Sequence, residues 1–272
     1  MTTQKSELRN FPYVNVPRIK AVEILLLAQT VADTYFNRGS GEATKELDHV
    51  EATHRHWVSR IIDLSDFPYC YYTHGATDAI HHWALTEDRK WQIPEGEYEY
   101  ANMIGGKGTK VLGQPLYLSN PSAATGNILY SNTEQPVILD CTYVSSTAIK
   151  TINVPKCTEQ VFFSFSKGFG LVGQRLGLVY TKEPHPTLHR LKEYENWNYG
   201  GVRTMQLIMN NFSVDSMFNR YRKMQLDVCK EYNFTPSDVF YLATTKDRYY
   251  TRRRRVGDVA RICLTPLFQD ML

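Results

Sequence analysis

The chain lacks the marks of several protein classes. Its five cysteines, Cys70, Cys141, Cys157, Cys229 and Cys263, are odd in number, irregularly spaced and never arranged as CxxC. That is not the framework of a small disulfide-bonded secreted domain, and reduced thiols in a cytosolic compartment are the expectation. The longest apolar runs, such as Ile24–Ala28, fall far short of the ~20 residues that span a bilayer, and the opening "MTTQKSELRNF" has no apolar core of a signal peptide. A net charge of +3 is too mild to imply a nucleic-acid partner by itself. There is no internal repeat and no low-complexity tract, and both charge signs are spread along the chain, which argues against global disorder.

What is present is enough apolar material for a sizeable core. Hydrophobic residues make up 42% of 272, which suits one large domain, alone or with a smaller lobe. Apolar residues dominate one helical face from Ile19 to Tyr35, and "NRGSG" ends that helix. Leu47, Val50, His54, Trp57 and Ile61 recur at helical spacing and predict a second one. Beyond these the pattern changes. The runs "YCYYT", "EYEYANMI", "PLYLS", "PVILD", "QVFFSF" and "RLGLVY" read as strands separated by turns or helices. Several are apolar throughout, as strands buried on both faces of a largely parallel sheet are. From Glu183 to Tyr232 the chain reads helical, and "VFYLATT" and "VARICLT" predict two last strands around a basic loop. The pairs His54/His56 and His81/His82 lack the i, i+4 spacing of a helical metal site, so no metal is expected.

Four short motifs share one predicted position, the carboxyl end of a strand, where ligands bind in open α/β sheets. "HGATDAI" places Gly75, Ala76 and Thr77 where a helix begins, so free N–H groups and a hydroxyl face an anion. "NPSAATG" is a turn-rich loop that begins at Asn120. "ILDCTY" puts Asp140 at a strand end, with Tyr143 three residues on. "SFSKGFGLVGQRLG" follows a strand with Ser164, Lys167 and Arg175. A lysine at the exit of a buried strand is costly without a partner or a purpose, and its useful chemistry is condensation with carbonyls.

In this order the motifs resemble the fold-type I pyridoxal-phosphate enzymes, the aspartate aminotransferase superfamily. The likeness spans residues 70–180, with Arg261 in "ARICLT" as a later anchor. It implies a mostly parallel seven-stranded sheet with flanking helices and a small α+β C-terminal lobe. The division it implies is an N-terminal arm and helix over 1–40, a cofactor-binding domain over 41–190 and a reduced small domain over 191–272. Pyridoxal 5'-phosphate is the implied cofactor. Lys167 would form its Schiff base and shuttle protons, Asp140 would pair with the pyridine nitrogen, and Tyr143 would bond the ring oxygen. Gly75, Ala76, Thr77, Ser164 and Arg175 would hold the phosphate, and Arg261 the substrate carboxylate. Asn120 or Ser122 would replace a family asparagine that falls here on Ala123.

Tyr98 and Tyr100 are candidates to stack on the ring, or else strand core. The resemblance also implies a homodimer, with Tyr35 as the residue a neighbour contributes. The chain is shorter than typical members. An aminotransferase is the leading expectation. A decarboxylase on an unusual substrate, such as an amino acid attached to a nucleic-acid base in viral DNA hypermodification, and a non-catalytic binding module are the rivals. Arg252–Arg255 reads as a solvated loop, or as a grip on nucleic acid or a phosphorylated substrate, with Tyr249 and Tyr250 as stacking surfaces. The expected location is the cytoplasm, the host's for a viral protein.

Overall fold

The computed structural model describes residues 42–106, 108 and 112–268. The helix expected over Ile19–Tyr35, and with it Tyr35, lies outside the described residues. Five strands form the central sheet: β1 (Tyr69–Thr73), β2 (Leu116–Ser119), β3 (Val137–Asp140), β4 (Thr158–Ser164) and β5 (Gly177–Thr181). Their spatial order is β1-β5-β4-β3-β2. β2, β3 and β4 pair in parallel, and β5 runs antiparallel between β4 and β1. Four strands therefore point the same way. The described sheet has five strands rather than the seven expected, and it is mixed.

The described runs read as predicted except the expected basic loop, which holds a 3-10 helix over Arg248–Arg253 and a short strand over Arg254–Val256, and "EYEYANMI", which is a helix over Glu99–Gly105. Its Glu–Tyr alternation mimics a strand, but Ala101 and Gly105 are the buried positions, at i, i+4 spacing. A Cβ on Gly105 would lie 2.6 Å from the Trp91 ring, so only glycine allows this helix to lie against it.

Alternation along the strands divides the core. Tyr71, Ile138, Phe162 and Val179 face one side, with Ile80, Trp83 and Leu188 packed on them. Their sequence neighbours, such as Leu139, Phe163 and Tyr180, face the other side, where a larger core continues into the C-terminal residues. The helix Glu42–Val58 covers that second face. Its His54 is buried and bonds the Tyr180 hydroxyl at 2.9 Å, and burial lowers its pKa to about 3, so the ring is neutral packing. The helices Pro186–Glu193, Tyr199–Asn211 and Ser216–Tyr232 follow β5. A second, four-stranded sheet completes the described chain. It consists of β6 (Thr235–Pro236), β7 (Leu242–Thr245), β8 (Arg254–Val256) and β9 (Val259–Cys263), in the order β6-β7-β9-β8. No helix among the described residues is long and apolar enough to cross a membrane.

Candidate active site

The parallel strands bring their carboxyl ends to one edge of the sheet. Ser119 and Asp140 are register partners there, and Ser164, Gly177 and Thr73 fall in one row across β4, β5 and β1. A cavity of about 550 Å³ opens at this edge, between the central sheet and the β8–β9 hairpin.

The row of three residues gathers an anion cradle. The chain turns after Thr73 through Gly75, at φ +79°, into the helix Ala76–Thr86. A Cβ on Gly75 would lie 3.4 Å from Arg175 Nη2 and 3.5 Å from Ser164 Oγ, so the glycine, the guanidinium and the hydroxyl converge. Gly177 makes this possible: a Cβ there would meet Gly75 Cα at 2.8 Å and Phe163 O at 2.7 Å. Arg175 sits in the left-handed region at φ 52°, and its carbonyl accepts from the Tyr72 hydroxyl at 2.9 Å. Ala76 and Thr77 line the cavity at the helix start, where unpaired N–H groups and the helix dipole favour an anion.

Lys167 projects into the cavity from the short helix Phe165–Gly168, which Ser164 caps by accepting from Ser166 N at 3.2 Å. Burial and then the nearby Arg261 charge bring its amine down to about 8. A larger neutral fraction than an ordinary lysine has is thus present near neutrality, which favours a nucleophilic amine.

Asp140 is 5% exposed and fixed at both oxygens: Tyr117 Oη donates at 2.6 Å and Thr142 N at 2.8 Å. Burial pushes its carboxyl above the ordinary value, against the pull of these bonds and of Lys167. Tyr143 lines the cavity with its phenol pushed up by burial, and Arg261 draws it down. Arg261, on β9, lines the same cavity and donates to the Ala123 carbonyl.

Asn120 is a correction. Its side chain does not reach the cavity: Nδ2 donates to Leu129 O and Oδ1 accepts from Leu129 N, both at 3.0 Å. The amide therefore pins the loop that follows β2. Ser122 likewise accepts from Ala124 N at 3.1 Å, and Ala123 is the residue of this loop that lines the cavity. Tyr98 and Tyr100 are not strand core. They cap and enter the Glu99–Gly105 helix and line the cavity wall. Tyr250 offers no stacking surface, being 1% exposed against Phe234.

One feature carries no sequence signal, and a second, the Arg252–Arg255 run, reads in the sequence as a solvated loop or an anion grip. Glu97 is a buried carboxylate at the cavity wall that accepts from Ser119 N at 3.2 Å and from the Ser119 hydroxyl. Burial raises its pKa to about 7. Arg252–Arg255 lies along the cavity instead of forming a wholly solvated loop.

The residues fit pyridoxal phosphate on this chain's own geometry. At Gly75 the missing side chain leaves space beside Arg175 Nη2 and Ser164 Oγ, groups of the kind that suit a phosphate. The buried Thr142 and Ser166 hydroxyls, both beside the cavity, have no hydrogen-bond partner among the described residues. The chain has the fold of the pyridoxal-phosphate-dependent aminotransferases of fold type I. It resembles an aminotransferase from Staphylococcus aureus at TM-score 0.61 and 13% identity, over 93% of this chain and 88% of that one. It resembles the histidinol-phosphate aminotransferase from Sinorhizobium meliloti, solved with pyridoxal-5'-phosphate, at TM-score 0.64 and 13% identity, over 94% and 89%. It also resembles the L-threonine-O-3-phosphate decarboxylase from Porphyromonas gingivalis at TM-score 0.57 and 14% identity, over 92% and 95%. No protein-family model and no curated sequence matches the chain.

Proposed function

We propose that the protein is a pyridoxal-phosphate-dependent enzyme that acts on a primary amine next to a carboxylate, with transfer of the amino group as its reaction. The observation that carries this reading is the placement of Lys167 in one cavity with Asp140 and with the Gly75, Ser164 and Arg175 cradle. A cofactor held there supplies an aldehyde for the substrate amine and an electron sink for the pair left on Cα.

The chain's own residues do the rest. Ser164, Arg175 and the start of the Ala76–Thr86 helix would hold the phosphate. Asp140, fixed by Tyr117 and Thr142, would keep the ring nitrogen protonated, and Tyr143 would meet the ring oxygen. Lys167, with a pKa near 8, can take a proton as a free amine and return it as an ammonium, which suits a base that becomes an acid. Arg261 offers its fork to the substrate carboxylate and fixes which bond to Cα is presented.

The test is spectroscopic and chemical. Purified protein treated with the cofactor should gain a visible band, and borohydride should fix the label on Lys167. Substitution of Lys167 by alanine should abolish both, and a band unchanged in that variant would sink the reading. Product analysis across amino donors then separates two outcomes. A keto acid with aminated cofactor marks amino transfer. Carbon dioxide with an amine marks decarboxylation, the activity in the name of one structural relative.

A further inference from the structure

β2 carries two hydroxyl side chains on one face, Tyr117 and Ser119, two residues apart. Each holds a carboxyl group. Tyr117 Oη donates to Asp140 at 2.6 Å, while Ser119 holds Glu97 through its N–H at 3.2 Å and through its hydroxyl. Ser119 and Asp140 are register partners on neighbouring strands, so the two carboxyls come to the same edge of the sheet. Both are buried and both line the cavity. Glu95 and Glu99, on either side of Glu97 in the chain, are exposed.

The placement of Glu97 is fixed from several directions. Tyr98 N donates to it at 3.3 Å. Gly96, at φ +80°, presses its segment onto another part of the chain: a Cβ there would lie 2.8 Å from Arg255 C and 2.9 Å from Ala124 Cβ. The titratable groups within electrostatic reach of Glu97 are Asp140 from β3, Tyr117 from β2 and Tyr143 from the turn after β3. Burial, then Asp140 and Glu97, push the Tyr117 phenol well above its ordinary value, so it stays a donor. Among the cations of the cavity, Lys167 acts on Asp140, Arg261 on Tyr143 and Lys167, and Arg255 on Glu99.

Two buried carboxyls at one cavity repel when both are ionised, so the pair retains a proton into the neutral range. Their hydrogen bonds assign it. Asp140 has a fixed donor at each oxygen, Tyr117 Oη and Thr142 N, which favours its charged form. The Ser119 hydroxyl beside Glu97 can rotate and accept a proton as well as donate one. Burial, with the Asp140 charge behind it, raises the pKa of Glu97 to about 7. A cation arriving beside Asp140 reverses the balance, because one positive charge roughly 5 Å away lowers a carboxyl pKa by about two units.

We propose that Glu97 is a proton reservoir for the Asp140 site, a positioning residue that holds a proton in the free protein and releases it when a protonated ring nitrogen sits beside Asp140. The inference rests on the reading above and deepens it. The O–H bond of the Glu97 carboxyl breaks and its proton leaves to solvent. The site gains one negative charge, which offsets the positive charge of the ring nitrogen. No oxidant or reductant is involved. The site is thereby matched in charge both with and without its cofactor.

The test counts protons. Cofactor-free protein is titrated with pyridoxal phosphate in a calorimeter, at about pH 6, in buffers of different ionisation enthalpy. The parent should release about one proton per site more than Glu97→Gln. At about pH 8.5 Glu97 is already ionised in the free protein, and the two proton counts should agree. Carbon-13 titration of the glutamate carboxyls gives a second reading on the parent alone, which decides should the variant fail to fold. One glutamate carboxyl should titrate near 7 in the free protein and move to its ionised position when the cofactor is added at the lower pH.

Equal proton counts at the lower pH would overturn the proposal. So would a late-titrating carboxyl that belongs to an aspartate, or a glutamate that keeps its proton after the cofactor binds. Failure of the cofactor reading appears separately, as the lack of a borohydride-fixed label on Lys167. Failure of the reservoir appears in labelled protein, as a proton count that does not depend on Glu97.

Discussion

Gly168 and Ser145 are in direct backbone contact: a Cβ on Gly168 would lie 2.7 Å from Ser145 O and 2.8 Å from Ser145 Cβ. Gly168 follows the candidate nucleophile, and Ser145 follows the turn that carries Tyr143. The contact locks the lysine's helix to the loop that leaves Asp140. Gly168→Ala is therefore expected to cost about 1–3 kcal/mol of stability, as overpacking does. It should also slow borohydride-dependent labelling of Lys167. Denaturant unfolding and labelling kinetics on the same preparation check both; a variant that matches the parent in each would dissociate the contact from the site.

The pH dependence of labelling follows from Lys167. Condensation with an aldehyde needs the neutral amine, and burial brings its pKa from 10.5 to about 8. The labelling rate of cofactor-free protein should rise with pH and level off above about 8, well before an exposed lysine would. A midpoint near 10.5, from single-turnover trapping across pH 6 to 11, would count against the buried placement.

Asp140→Asn keeps the shape and removes the charge. The band should persist, because Lys167 is intact, while turnover falls by about a hundredfold or more, the usual cost of removing a preorganised electrostatic contact. Tyr117→Phe removes one of the two bonds that fix Asp140 and should lower turnover less. Steady-state rates on a common amino donor, measured beside the visible spectra, test the order of these effects.

Glu97 gives a stability signature with a defined sign. Its pKa is raised from 4.5 to about 7 by burial. Between those values the folded state holds a proton that the unfolded chain has lost, so stability falls as pH rises through that window and is level above it. Glu97→Gln removes the ionisation and still accepts from Ser119. It should match the parent at pH 4 and exceed it by on the order of 3 kcal/mol at pH 8. Urea unfolding at both pH values decides, and a parallel pair of pH profiles would refute the assignment.

Much of this was legible in the residues because each does a separate geometric task. β3, β4 and β5 announce themselves as apolar runs because both of their faces are buried. Gly75, Ser164, Lys167 and Arg175 stand in motifs that were legible through their resemblance to a known family, and Ser164, Lys167 and Arg175 line one cavity. Asn120 misled because the side chain that could reach a ring can equally tie its own loop, and the pairing with Leu129 has no local trace. Glu97 lies in a run of acids, and only the fold says that one of them is buried. Arg252 to Arg255 reads as a charge run, and only the fold brings it to the cavity.

The bond from Arg261 to the Ala123 carbonyl, and the press of Gly96 on Arg255, join stretches of chain more than a hundred residues apart. A ribosome-bound fragment ending anywhere before residue 261 would have the cradle without Arg261. Closure of the cavity should therefore come late in synthesis, once both distant stretches have emerged.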